Sequence, residues 1–141
     1  MSKKIDSKEL INKAIEARKN AYVPYSNFPV GAAVLMDSGK IYTGCNVEAA
    51  SYGATNCAER TAIFKAVSEG ERKIEAIAIV GDLNAITYPC GICRQVFIEF
   101  AKEMKIIVAT SENKYKEYSL GEIMPFSFTP DDLNNINNGG K

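Results

Sequence analysis

Three short apolar runs constrain this chain most: VGAAVLM from Val30, IEAIAIV from Ile74 and KIIVAT from Lys105. Each reads as a strand, and segments with helical spacing alternate with strands after Gly53. DSGK supplies turn chemistry between the first run and IYTGCNVE, its antiparallel hairpin partner, and KYKEYSL adds a fifth strand. Asp6 and Ser7 can cap a first helix that carries Leu10, Ile11, Ala14 and Ile15 on one face and ends near Tyr22, before Pro24. The expected fold is α/β, a mixed five-stranded sheet sandwiched by helices. GEIMPFSFTPDDL reads as a short helix or turn followed by an irregular segment, and NNINNGGK as a frayed end. Residues 1–132 are therefore expected to form a single domain and 133–141 a flexible tail.

Composition narrows the function. A chain of 141 residues builds one core without needing disulfides. Basic and acidic residues number 17 each, and no block of like charge runs along the chain, which argues against a nucleic acid as the main partner. MSKKIDSKEL has no apolar stretch after its lysines, and no run is long enough to span a bilayer, so a soluble cytoplasmic protein is expected. Four cysteines in such a chain read as thiols or metal ligands. There is no histidine. Every Ser-His-Asp or Cys-His scheme is thereby excluded, and a carboxylate or a metal must move any protons.

The chemistry gathers at two helix starts. TNCAERTAIFKAVSEG opens a helix with Cys57 and closes it at Gly70; YPCGICRQVFIEFAKEM opens another with Cys90 and Cys93. A lone C-x-x-C serves a redox dithiol, half of a structural zinc site, or nothing chemical. If both helices pack on one face of the sheet, however, their N-termini can approach and three sulfurs can converge on one ion. Three protein ligands with a fourth position left for water is the arrangement of a catalytic zinc. Cys45, on a strand, is more simply a small buried hydrophobe. Glu59 alone would be a first-turn glutamate favoured by the helix dipole, but beside Cys57 it is placed to reach a water at the open position. A His or Cys followed by x-Glu, with P-C-x-x-C downstream, is the zinc deaminase signature.

Four blocks in order, YVPYSNFPVGAAVL, GCNVEAASYGATNCAERTAIFKAVSEG, PCGICRQ and MPFSFTPDDL, make the chain resemble the small, homotetrameric cytidine deaminases over almost its whole length. The resemblance implies a three-layer α/β/α sandwich with active sites shared between subunits. It also implies one Zn2+ per subunit and hydrolysis of the 4-amino group of cytidine or deoxycytidine, a pyrimidine-salvage reaction. In that scheme Glu59 shuttles protons from the water to the ring nitrogen and the leaving amine. Arg60 matches an arginine that hydrogen-bonds the cysteine sulfurs and offsets the excess charge of three thiolates. Asn46 and Glu48, two apart on a strand and so on one face, match residues that hold the ribose 3′-hydroxyl. Phe28 matches an aromatic against the pyrimidine, and Ala58 a source of backbone groups for the base. Ala50 and Tyr52 match positions that reach the nucleoside from an adjacent subunit, and Phe128 a ring contributed by another. MPFSF departs from the family pattern in the bulky Phe126, which leaves two phenylalanines available to face the base.

Other readings stand beside this one. A zinc-stapled binding module accounts for the three cysteines but leaves Asn46, Glu48 and Glu59 without a task. A redox dithiol ignores Cys57. A related deaminase could act on another cytosine-containing small molecule, although an acidic residue near the sugar is a poor neighbour for a 5′-phosphate.

Overall fold

Asp6 starts the first helix by accepting the Glu9 N–H at 3.1 Å, and the resulting helix α1 (Ser7–Arg18) buries Leu10, Ile11 and Ala14 as the spacing requires. The computed structural model describes residues 5–137, with side chains through residue 134. Helix α1 stops at Arg18, a turn before the expected end. The N–H groups of Asn20 and Ala21 fold back to the carbonyls three residues earlier, which tightens the chain out of the α-helix. Tyr22 then leaves to form an isolated parallel bridge with Val47.

The apolar runs become strands β1 (Gly31–Met36), β3 (Ile74–Val80) and β4 (Lys105–Ser111), and their partners become β2 (Ile41–Cys45) and β5 (Lys114–Ser119). They form one five-stranded sheet in the order β2-β1-β3-β4-β5. Only β3 and β4 pair in parallel, with Ile77 opposite Ile106; the other pairs are antiparallel. The sheet is thus mixed, and its central strands are apolar on both faces because both faces are covered. Helix α1 covers one face, packing Leu10, Ile11 and Ala14 with Ala33, Leu35 and Val80. The other face carries Val34, Met36, Ile77, Ile79 and Val108 against Ala62, Ile63 and Phe97 of α2 (Ala58–Ser68) and α3 (Gly91–Phe100). The expected three layers are present.

This topology sets where the two helices begin. Helix α2 leads by a short turn into β3, and α3 leads likewise into β4, so each helix runs back against its strand. Because β3 and β4 are parallel and both helices lie on one face, the N-termini of α2 and α3 arrive at the same end of the sheet. Gly70, at φ 102, ends α2 in the left-handed conformation expected for it, its N–H bonded to Val67 O at 3.0 Å.

The C-terminal segment is more regular than its composition implies. Helix α4 (Leu120–Ile123) opens with a reciprocal cap, Ser119 Oγ accepting from Glu122 N and Glu122 accepting from Ser119 N. The segment expected to be irregular, and part of the expected tail, is helix α5 (Pro130–Asn137). Thr129 and Asp132 exchange the same pair of bonds at its start, with Pro130 at the first helical position. The signal Thr-Pro-Asp-Asp was present in the sequence and outweighs the asparagine-rich composition after it; residues 138–141 of the expected tail lie outside the described residues.

Close packing of α2 on the sheet depends on Gly44 in β2, where an added Cβ would stand 2.5 Å from Ala62 N and 2.9 Å from Ala58 O. Both neighbours are helix backbone and cannot step aside. Gly44→Ala is expected to lower stability by about 1–3 kcal/mol, as overpacking does. Chemical denaturation of the two proteins checks this; equal midpoints would contradict the close contact.

Candidate functional site

Cys57 and Cys90 occupy the same place on two helices. Each is the residue before its helix, extended at φ -70, ψ 155 and φ -71, ψ 170, and neither side chain turns back to cap its own helix. Their thiols are left to point at each other across the helix ends, with Sγ atoms 3.7 Å apart. Cys93, in the first turn of α3, completes a group whose three sulfurs all lie within 4.8 Å of one another. A tetrahedral zinc with bonds of about 2.3 Å sets its sulfurs roughly 3.8 Å apart, so this donor set fits that ion. Cys93 is buried, Cys57 half-buried and Cys90 exposed. Cys45, part-buried on β2, stands outside the group, and all four cysteines are unpaired.

Glu59 is 5% exposed, the only charged side chain that is buried among the described residues. Burial pushes its carboxyl up to about 7, while hydrogen bonds from its own N–H and from Cys93 pull the other way. Two residues after Cys57, in the first turn of α2, Glu59 stands near the sulfur group, yet it is not one of the three ligating residues. Arg60 turns its guanidinium to the same sulfurs, Nη2 donating to Cys57 Sγ at 3.2 Å. Hydrogen bonding from Cys93, and then from Arg60 and Cys90, holds the Cys57 thiol down at about 5. Cys93 is pushed up, first by its bond to Cys57 and then by burial. Arg60 Nε is buried without a partner, so the arginine accepts a desolvation cost to bring its charge to the thiolates.

A second set of contacts ties a loop to this centre. Val47 exchanges backbone hydrogen bonds with Asn56, the residue before Cys57, at 3.0 Å and 2.9 Å. Asn46 and Glu48 flank Val47, beyond the end of β2 and not on the strand expected for them. Strand pairing with β1 stops at Cys45 opposite Gly31, and the chain continues as an isolated bridge. Both side chains still turn to one side, toward the loop that carries Phe28. Asn46 accepts from Val30 N at 2.9 Å and donates to Phe28 O at 2.9 Å. Glu48 accepts from the N–H of Tyr25 and Ser26 and from the Ser26 hydroxyl, the last being the main reason its carboxyl is lowered. Phe28, at 42% exposed, is no core residue. Ala58, the first residue of α2, is fully buried beside Cys57.

The remaining candidates stand open. Ala50 is exposed, Tyr52 is 80% exposed on a single 3-10 turn (Tyr52–Ala54), and Phe128 is 55% exposed on the segment after α4. Ser26, Asn56, Arg94 and Gln95 are the residues that sequence reasoning left without a specific role. Arg94 and Gln95 directly follow Cys93, which was the available signal, but their partners lie 29 and 33 residues away. Two surface concavities, of about 720 and 910 Å3, lie at the far end of α3 and contain none of the cysteines. Lysines and glutamates mix in both linings and define no single ligand chemistry.

A family model described as the cytidine and deoxycytidylate deaminase zinc-binding region matches residues 4–110. The chain belongs to that family. It is 49% identical to a cytidine deaminase of Halalkalibacterium halodurans, across 92% of this chain and 99% of that one. A cytidine deaminase of Sporosarcina psychrophila is 46% identical, across 92% and 96% of the two chains. Among solved structures, cytidine deaminase from Burkholderia pseudomallei superposes with a TM-score of 0.82 at 45% identity, covering 88% of this chain and all of that one. The enzyme from Mycobacterium tuberculosis gives 0.79 at 39%, covering 89% and 98%. Zinc is the ion that this deaminase family binds, and Cys57, Cys90 and Cys93 form the group able to hold it.

The Arg60 contact generates a test. Arg60→Ala is expected to fold and to lose about 10–100-fold in zinc affinity, the usual effect of removing a hydrogen-bonding neighbour of a metal ligand. Competition with a chromogenic chelator measures this, and unchanged affinity together with an unchanged rate would refute the role.

Proposed function

We propose that this protein is a zinc-dependent cytidine deaminase, converting cytidine and deoxycytidine with water to uridine and deoxyuridine with release of ammonia. The observation that carries the reading is a buried carboxylate against a three-sulfur group that has no fourth ligating residue among the described ones. A structural zinc site would close its fourth position with protein. Zinc on these sulfurs supplies Lewis-acid activation of water. With zinc held by Cys57, Cys90 and Cys93, Glu59 would take a proton from the attacking water and deliver it to the ring nitrogen N3 as the water oxygen bonds to C4, then take the proton of the new C4 hydroxyl and give it to the 4-amino nitrogen, which leaves as ammonia while the C4 carbonyl forms. One carboxylate thus carries the protons in a chain that has no histidine. Arg60 and the N-termini of α2 and α3 bring positive charge to the sulfurs, which limits how far three thiolates blunt the ion.

The pocket follows from the loop contacts. In this reading Phe28 lies on the pyrimidine, Ala58 presents backbone groups to it, and Asn46 with Glu48 receives the ribose 3′-hydroxyl. Their shared attachment to the segment before Cys57 supports a common site. Glu48 disfavours a 5′-phosphate by charge, so a nucleoside is preferred to its nucleotide. We also propose a homotetramer, with Ala50 and Tyr52 reaching the nucleoside from one neighbour and Phe128 from another. Exposure of Tyr52, Phe64, Ile92 and Phe128 in the single chain supports it. Four unpaired cysteines, three of them required as thiolates, favour the reducing cytoplasm, where the reaction serves pyrimidine salvage.

Purified protein mixed with cytidine is expected to bleach the cytosine absorbance, while CMP reacts far more slowly. Glu59→Gln is expected to keep its zinc and lose activity by about 10²–10⁴-fold, the usual contribution of a positioned acid-base group. Retained turnover in that variant would remove Glu59 from the proton path.

A further inference from the structure

Arg94 and Gln95 come directly after Cys93 in α3 and take no part in holding the ion or moving protons, yet both reach out of the helix to distant backbone. Arg94 spans two carbonyls: Nε donates to Pro89 O, just before Cys90, at 2.9 Å, and Nη1 donates to Ile123 O, at the end of α4, at 2.8 Å. Gln95 Nε2 donates to Phe128 O at 2.8 Å. The two tethered carbonyls of Ile123 and Phe128 bracket a short segment, residues 124–127. Within it Phe126 sits at φ 54 with its side chain fully exposed. A bulky residue in the left-handed region is strained and persists where its surroundings over-determine the backbone. The bracket from α3 supplies that constraint on both sides.

We propose that Gln95 is a positioning residue for substrate binding: its amide pins the Phe128 backbone to the helix that starts at the metal ligands, and so sets where the Phe128 ring is presented. Arg94 is the brace behind it, fixing the same segment to the loop that carries Cys90. The proposal rests on the deaminase reading, in which Phe128 contacts the nucleoside. It also selects between the two phenylalanines of MPFSF. Phe128 carries the tethered carbonyl, whereas Phe126 stands fully exposed within the bracketed segment.

The two residues differ in what their removal does. Arg94 is part-buried and serves two carbonyls, so its loss disturbs the metal loop as well. Gln95 is exposed and makes a single bond to this segment, so its loss acts on the Phe128 tether alone. Gln95→Glu keeps the size of the side chain and removes the amide donor. In the assembled enzyme it is expected to raise KM for cytidine about 3–10-fold, with kcat within about two-fold, as the loss of one hydrogen bond that supports ground-state contacts should do. Zinc content stays unchanged. Amide hydrogen exchange of residues 126–129 speeds up while that of α2 does not. Gln95→Lys, which restores a donor, returns KM toward the parent value. In a Phe128→Ala background Gln95→Glu adds nothing further, because the effect passes through that ring. An unchanged KM in Gln95→Glu, or effects that multiply in the double variant, overturns the proposal. If the parent protein does not deaminate cytidine, the deaminase reading falls, and hydrogen exchange alone decides whether Gln95 holds the segment; unchanged exchange at 126–129 overturns the tether.

Discussion

Three sulfurs within 4.8 Å of one another form a donor set suited to a cation, and the remainder of this site is organised around it. Once all three are thiolates they repel at such range, so the site must bring positive charge to offset them. The start of α3 contributes two sulfurs, Cys90 just before the helix and Cys93 in its first turn, the residue before α2 contributes the third, and each helix brings the positive end of its dipole to the same place. Arg60 adds a full charge, directed at Cys57. Glu59 is the exception, a carboxylate buried beside sulfurs, and its raised pKa expresses the cost of keeping it there. A negative group held at that cost beside a metal site is expected where protons must be moved.

The convergence is a property of the sheet before it is a property of the cysteines. A parallel β3–β4 pair, with a helix feeding into each strand from the same face, places two helix N-termini side by side. Gly44 lets α2 lie close on β2, and the small Ala58 and Ala62 complete that contact. At the same end of the sheet, the Val47–Asn56 bridge attaches the Phe28 loop to the residue before Cys57, while Arg94 and Gln95 attach the Phe128 segment to α3. Two aromatic-bearing segments are thereby fastened to the two helices that carry the metal ligands.

Much of this was legible in the sequence, for reasons that are local. Asp6, Gly70 and the two cysteines at helix starts act within one turn of the residues that reveal them, and the apolar runs that become β1, β3 and β4 need no distant partner to be read. Sequence and structure part company where the chain leaves regular structure. Asn46 and Glu48 continue the alternation of β2, but the partner strand ends opposite Cys45, and from there the chain bridges to Tyr22 and Asn56 instead. Tyr22 likewise has helical spacing and is drawn off by that bridge. Helix α5 was hidden by asparagines, although Thr129 and Asp132 spell out its cap. The tasks of Arg94 and Gln95 depend on carbonyls about thirty residues away, a relation that no local pattern encodes.

In the proposed enzyme three cysteines hold one zinc and leave one position to water. X-ray absorption at the zinc edge of the purified protein tests it directly. One zinc per chain is expected, with three sulfur neighbours at about 2.3 Å and one light-atom neighbour near 2.0 Å. Four sulfurs around the ion, which would bring in Cys45, or a folded protein that binds no zinc, would contradict it.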